Sequence, residues 1–143
     1  MSEISKIIHK IEQLREYLKY LQNYQTYSQK EISEDFTLRA AVERYFHLSI
    51  ECVIDISYMI ISDLKLKRPA NYRHSIDLLG EQGVIPDEFA YYFAPITGFR
   101  NILVHEYAEI DFNLVYKHLQ NDLKDLEKFC QYVVQFLNKE NQG

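Results

Sequence analysis

Ten residues, Gly98-Phe-Arg-Asn-Ile-Leu-Val-His-Glu-Tyr107, gather a permanent cation, an amide, an imidazole and a phenol at the end of one amphipathic run. Arg100 and His105 are separated by four residues, and Tyr107 follows His105 by two. Arg100 can grip a phosphate with a planar fork of N–H donors. His105 has a side chain that exchanges its proton near neutral pH. These types suit chemistry at a phosphate ester, with a cation to hold developing charge and an imidazole to move protons. The same spacing also permits a plain reading, a capped helix end with an Arg and a His on its surface.

The element carrying the motif must be a helix. With successive residues about 100° apart, Phe89, Tyr92, Phe93, Ile96, Phe99 and Leu103 share one sector, the expected core face. Arg100 lies at the edge of that sector. Asn101 and His105, four apart, share a second face, flanked by Ile102 and Val104. Apolar residues around a polar pair on an outer face imply a covering surface, and the simplest is a second copy of the chain. A homodimer is therefore expected.

A preceding run shows a related pattern. Leu38, Val42, Phe46, Ile50, Val53, Ile54, Met59, Ile60 and Ile61 make it apolar over most of its circumference, so it is buried on more than one side. Through it runs a polar stripe, Arg44, His47, Glu51 and Asp55, at helical spacing. The stripe reads either as a solvated edge with intrahelical pairs or as polar groups that orient Arg100 and His105 across a cleft.

Five helical segments are expected, at about Ser2–Tyr27, Asp35–Leu66, Asn71–Leu79, from Pro86 or Asp87 to the motif, and Phe112–Leu137 capped by Asp111. Gly80 and Gly83 are expected to break the chain between the third and fourth. With four Gly and three Pro in 143 residues, there is little turn chemistry for a sheet. The length suits one domain spanning 1–143. Short connections favour antiparallel neighbours in a bundle. The longest apolar run, Cys52 to Ile61, carries Asp55 and Ser57 and falls short of the roughly 20 residues of a membrane span. With no secretory pattern at the start, a cytoplasmic location and no membrane contact are expected.

Other chemistries find little support. Cys52 and Cys130 sit in apolar helical contexts and read as buried free thiols. Glu43 and His47 are four apart rather than the three a carboxylate-bridged di-metal site requires, and Val115 stands where His118 would need a Glu. No histidine pairs with another at i+4, and there is no phosphate-binding glycine loop, so neither metal nor cofactor is expected. A net charge of −5 argues against general nucleic-acid binding, which depends on neutralising phosphates. Any RNA chemistry must use a local site, and Lys65, Lys67, Arg68 and Arg73 form the main basic cluster. The stripe of Tyr17, Tyr20, Tyr24 and Tyr27 on the first helix reads as packing rather than as a base-stacking surface.

From about Ala40 to the last helix, three blocks resemble HepT-type HEPN-domain ribonuclease toxins. The first is Ala41-Val-Glu-Arg44 with Ile50-Glu51 and Asp55-Ile56. The second is Arg68-Pro-Ala-Asn-Tyr72 leading to Leu79-Gly-Glu-Gln-Gly-Val-Ile-Pro86. The third is Gly98 to Tyr107, an R-x4-H-x-Y signature, followed by Ile110-Asp111 and Val115-Tyr116. His47 stands where such proteins commonly carry a different polar residue.

The resemblance implies an all-α, antiparallel four- to five-helix up-down bundle of the HEPN type. It implies a homodimeric, metal-independent endoribonuclease, the toxin of a type VII-like toxin–antitoxin module. A minimal nucleotidyltransferase of the MntA type would silence it by adding AMP to Tyr107. Arg100 and His105 would be catalytic, with Asn101 supporting them. Apart from the resemblance, the cleft reading of the polar stripe makes Glu51, Asp55 and Arg44 supporting residues as well. Two rival readings remain open, a non-catalytic subunit that presents nucleotide or substrate to a nucleotidyltransferase, and a purely structural helical dimer.

Overall fold

A computed structural model of the chain describes residues 3–105 and 110–142, and every regular element among them is an α-helix. The helices are α1 (Glu3–Tyr24), α2 (Gln29–Glu34), α3 (Phe36–Asp63), α4 (Tyr72–Glu81), α5 (Asp87–Phe93), α6 (Ile96–His105), α7 (Phe112–Asn121) and α8 (Leu123–Gln142). Ile7, Ile11, Leu14, Leu18 and Leu21 make the buried stripe of α1, which packs on α3 and α8.

α3 forms the centre of the bundle. Asp35 starts it by accepting hydrogen bonds from the Thr37 and Leu38 amides at 3.0 and 3.1 Å. Val42, Phe46, Ile50, Val53, Ile56 and Ile60 are almost wholly buried along it, against α1, α4 and α6. By length and composition α3 could cross a bilayer, but its apolar faces are taken up by these neighbours. The same packing takes up much of the apolar circumference read from the sequence. Its buried hydroxyls are satisfied by their own turns, Ser49 by the Tyr45 carbonyl at 2.7 Å and Ser57 by that of Val53 at 2.8 Å.

Among the described residues the five expected segments become eight helices, each for a local reason. Ser28 opens the short α2 with a capping box, its hydroxyl accepting from the Glu31 amide while the Glu31 carboxylate accepts from the Ser28 amide. The expected fourth helix is interrupted at Ala94 and Pro95. Proline brings no N–H to the helical ladder, and its ring crowds the carbonyl four residues back. α6 begins afresh with the Gly98 amide on the Pro95 carbonyl at 2.9 Å. Tyr92 is therefore not part of the core face predicted for it: it is 63% exposed, with its hydroxyl on Asp125 at 3.2 Å. The break at Asp122 is slighter. That residue keeps a helical backbone (φ −102°, ψ −12°), and its carbonyl already accepts from Asp125 and Leu126.

Gly80 does not break the chain. It lies inside α4, where a Cβ would stand 2.6 Å from the Ala90 Cβ of α5, so its lack of a side chain lets the two helices approach. Gly83 does terminate α4. At φ 73° it takes the left-handed conformation that closes the turn, with the Val84 amide on the Leu79 carbonyl at 2.9 Å.

Candidate active site

α6 crosses α3, and the crossing is locked by rings. Phe99 meets Phe46 of α3 edge-on at 5.4 Å and stacks on His118 of α7 at 3.9 Å. Ile96 and Leu103 are also buried. With Phe99 directed inward, the next residue, Arg100, emerges along the edge of α3.

Arg100 meets three partners there. Its Nε donates to Glu51 Oε1 at 2.5 Å, its Nη1 to Asn101 Oδ1 at 3.2 Å, and its Cζ lies 5.2 Å from the centre of the Tyr72 ring. The Arg100 side chain is only 16% exposed, so the cation is held in place. Two of its five N–H groups are engaged by these bonds. The remaining edge of the fork meets no acceptor among the described residues and is available to an anion.

The polar stripe of α3 continues this arrangement. Arg44 Nη1 lies 3.1 Å from His47 Nδ1, and His47 Nε2 lies 3.2 Å from the Glu51 oxygen that Arg100 also uses. A neutral His47 protonated on Nε2 satisfies both contacts, accepting from Arg44 and donating to Glu51. Asp55 does not join the chain. It turns to Lys10 of α1 at 3.2 Å, half exposed, and makes no contact with Arg100.

Of the residues singled out from the sequence, Arg44, His47, Glu51, Arg100 and Asn101 come together. The side chain of His105, and Tyr107 as a whole, lie outside the described residues. Ile102 and Val104 are half-buried. Tyr72 was not anticipated as part of this site. It is the first residue of α4, directly after the Asn71 cap, and its contact with Arg100 joins two helices. Arg39 was also missed. It donates from Nη2 to the Ile110 carbonyl at 2.6 Å, pairs with Glu43 at 2.9 Å and lies over the Phe112 ring, which anchors the chain just after the motif.

Two open clefts lie in this region, and Tyr72 lines the first. One, of about 530 Å³, is lined by Asn71, Tyr72, Arg73, Pro95, Thr97, Gly98, Arg100 and Asn101. The other, of about 490 Å³, is lined by Tyr58, Met59, Arg68 and Pro69 among others. Tyr58 and Tyr72 meet edge-on at 6.1 Å. Among the described residues no three His, Cys, Asp or Glu side chains are grouped to hold a metal ion. Burial pushes the thiols of Cys52 and Cys130 up to about 11 and about 12, far from a nucleophile's range.

Known proteins resemble the chain in both sequence and fold. The chain is 30% identical over 128 residues to the mRNA nuclease HepT of Shewanella oneidensis, covering 89% of this chain and 95% of that protein. It is 30% identical over 140 residues to the tRNA nuclease HepT of Aphanizomenon flos-aquae, covering 96% and 95%. The solved structure of the tri-AMPylated Shewanella oneidensis HEPN toxin in complex with MNT antitoxin superposes with a TM-score of 0.81 at 29% identity, over 94% of this chain and 99% of that one. YutE of Bacillus subtilis, a cytosolic protein of unknown function, superposes at 0.83 with 20% identity over 95% and 91%, which speaks to fold alone. The profile of the family described as Ribonuclease HepT-like matches residues 7–133, and the chain belongs to that family, with its all-α HEPN-like fold.

Proposed function

We propose that this protein is an endoribonuclease toxin that cleaves RNA through Arg100 and His105 and is silenced by transfer of AMP to Tyr107. The observation that carries the reading is Arg100, the first residue of the R-x4-H-x-Y signature. It is held by Glu51 and Asn101 and lines an open cleft.

Cleavage of RNA without a metal uses the neighbouring 2′-hydroxyl as nucleophile. Its oxygen attacks phosphorus, the P–O5′ bond breaks, and a 2′,3′-cyclic phosphate and a 5′-hydroxyl result. The reaction needs a base for the 2′ proton, an acid for the leaving oxygen and positive charge on the phosphorane. His105 suits either proton transfer, and Arg100 suits the charge. One imidazole cannot serve both transfers at once. Two copies of the motif in a symmetric dimer would supply two imidazoles, which favours a composite site. The two nuclease relatives act on mRNA and tRNA respectively, so RNA is the substrate class they share. The antitoxin complex of the Shewanella toxin makes an MntA-type nucleotidyltransferase the expected partner.

The test is cleavage of a labelled oligoribonucleotide by the purified chain in EDTA, with the product termini mapped. His105→Ala is expected to abolish cleavage while remaining folded. Cleavage that stops in EDTA and returns with magnesium would overturn the metal-free mechanism, and full activity in His105→Ala would move the site. AMP transfer is tested by co-expression with the cognate transferase and peptide mass mapping; AMP on a residue other than Tyr107 would refute that assignment.

A further inference from the structure

The 530 Å³ cleft beside Arg100 has features that the catalytic pair does not account for. Its size lies within the ~300–1,000 Å³ typical of clefts that take a small ligand. Tyr72 stands in its wall, 37% exposed, on a firmly built turn. The Ala70 amide donates to His74 Nδ1 at 2.9 Å, Asn71 Oδ1 accepts from the His74 amide at 2.8 Å, and Ser75 donates to the Tyr72 carbonyl at 2.5 Å. Arg73, exposed, lines the same cleft.

Gly98 also lines the cleft. A Cβ built there meets nothing within 4 Å, so packing does not require a glycine. Glycine in a helix costs about 1 kcal/mol relative to alanine. Keeping the position bare has one evident structural effect, which is to leave the cleft open next to Arg100. An aromatic ring on a rigid turn, a flanking cation and an unobstructed floor are what a base and its phosphate require: the ring stacks on any base, and the cation follows the backbone.

We propose that this cleft seats the nucleotide adjoining the scissile phosphate in single-stranded RNA, with its base against Tyr72 and its phosphate on Arg73. The proposal rests on the ribonuclease reading and identifies where the substrate lies. Arg100, over the Tyr72 ring, then holds the phosphate to be cleaved while the neighbouring base is fixed beside it.

The experiment measures fluorescence anisotropy of a labelled single-stranded oligoribonucleotide carrying 2′-fluorine throughout. This probe lacks the attacking hydroxyl and survives binding. Tyr72→Ala is expected to weaken binding about tenfold, within the range reported for loss of one base stack, and Tyr72→Phe, which keeps the ring, to restore it. Gly98→Leu fills the cleft without removing any contact of Arg100 and should weaken binding to a similar degree. Arg73→Ala should lower the slope of log affinity against log salt by about 0.7, the value for one phosphate on a single strand. Lys19→Ala, an exposed charge on α1, should change neither quantity. Thermal melting of each variant checks folding. Wild-type binding by both Tyr72→Ala and Gly98→Leu would overturn the proposal, as would failure of the unmodified chain to bind the probe. If binding depends on the cleft but an all-ribose oligonucleotide is not cut, the ribonuclease reading fails and the binding site stands.

Discussion

Glu51 offers one carboxylate oxygen to donors from two helices, Arg100 Nε at 2.5 Å and His47 Nε2 at 3.2 Å. Arg100 owes its orientation chiefly to this carboxylate. Glu51→Gln keeps the shape and removes the charge. A hydrogen bond to a charged group contributes about 1.5–3 kcal/mol, so a loss of roughly ten- to a hundredfold in cleavage rate is expected. Asp55, one turn further along the same stripe, provides the contrast. Its pair with Lys10 is half exposed, and exposed pairs contribute little, so Asp55→Asn should leave the rate within about twofold. Parallel rate measurements on the two variants check this, and equal losses would mean that Glu51 does not position Arg100. Arg100→Lys should fail to rescue cleavage, because an ammonium cannot engage Glu51 and a phosphate with one planar fork. The helical spacing that placed Arg44, His47, Glu51 and Asp55 on one edge is read directly from the sequence. That Asp55 faces α1 and Glu51 faces α6 depends on how three helices cross, which spacing along one helix does not contain. Tyr72 was missed for the same reason, since a cation–ring contact between α4 and α6 leaves no local pattern.

At the scale of elements, the long periodic helices were legible, and the breaks within the later ones were not. Pro95 is visible in the sequence, yet Phe89 to Leu103 keeps a helical apolar period across it, so periodicity alone joins α5 to α6 and places Tyr92 in the core. The end of α3 shows another local cost. It closes with the Leu66 amide on the Ile61 carbonyl at 3.1 Å, which puts Lys65 at φ 60°. Glycine is the usual residue there, because a Cβ is strained in that conformation. Lys65→Gly should therefore stabilise the fold by about 0.5–1 kcal/mol, less than the full strain because glycine also frees the unfolded chain. Gly83→Ala, at φ 73° after α4, should destabilise by about 1 kcal/mol. Urea midpoints of the two variants should move in opposite directions from the parent. A shift of both in one direction would contradict the backbone assignment. Lys65 also belongs to the basic cluster, so if its charge serves RNA, Lys65→Gly should gain stability and lose affinity together.

Across the whole molecule, the core sets a limit on the pH range in which the fold holds. Cys52 on α3 and Cys130 on α8 are both buried, and burial raises their thiols to about 11 and about 12. Tyr24 and Tyr58 are also raised above the ordinary phenol value, in each case chiefly by burial. In the unfolded chain a thiol ionises near 8.5. All four groups therefore hold their protons more tightly when folded. Their contribution is fully present below the unfolded values and is lost as pH rises towards the folded ones. The urea midpoint should consequently be flat through neutrality and fall between about pH 9 and pH 12. The same burial predicts chemical inertness. Because the thiolate is the reactive form, Ellman's reagent at pH 7.5 should react with the native chain at least about a hundredfold more slowly than with the chain in denaturant. Replacing both cysteines with alanine would remove their share of the alkaline loss and leave that of the tyrosines, at a constant cost from the cavities created. A midpoint that stays flat to pH 11, or two thiols that react at once in the native protein, would show that α3 and α8 do not bury these side chains as described.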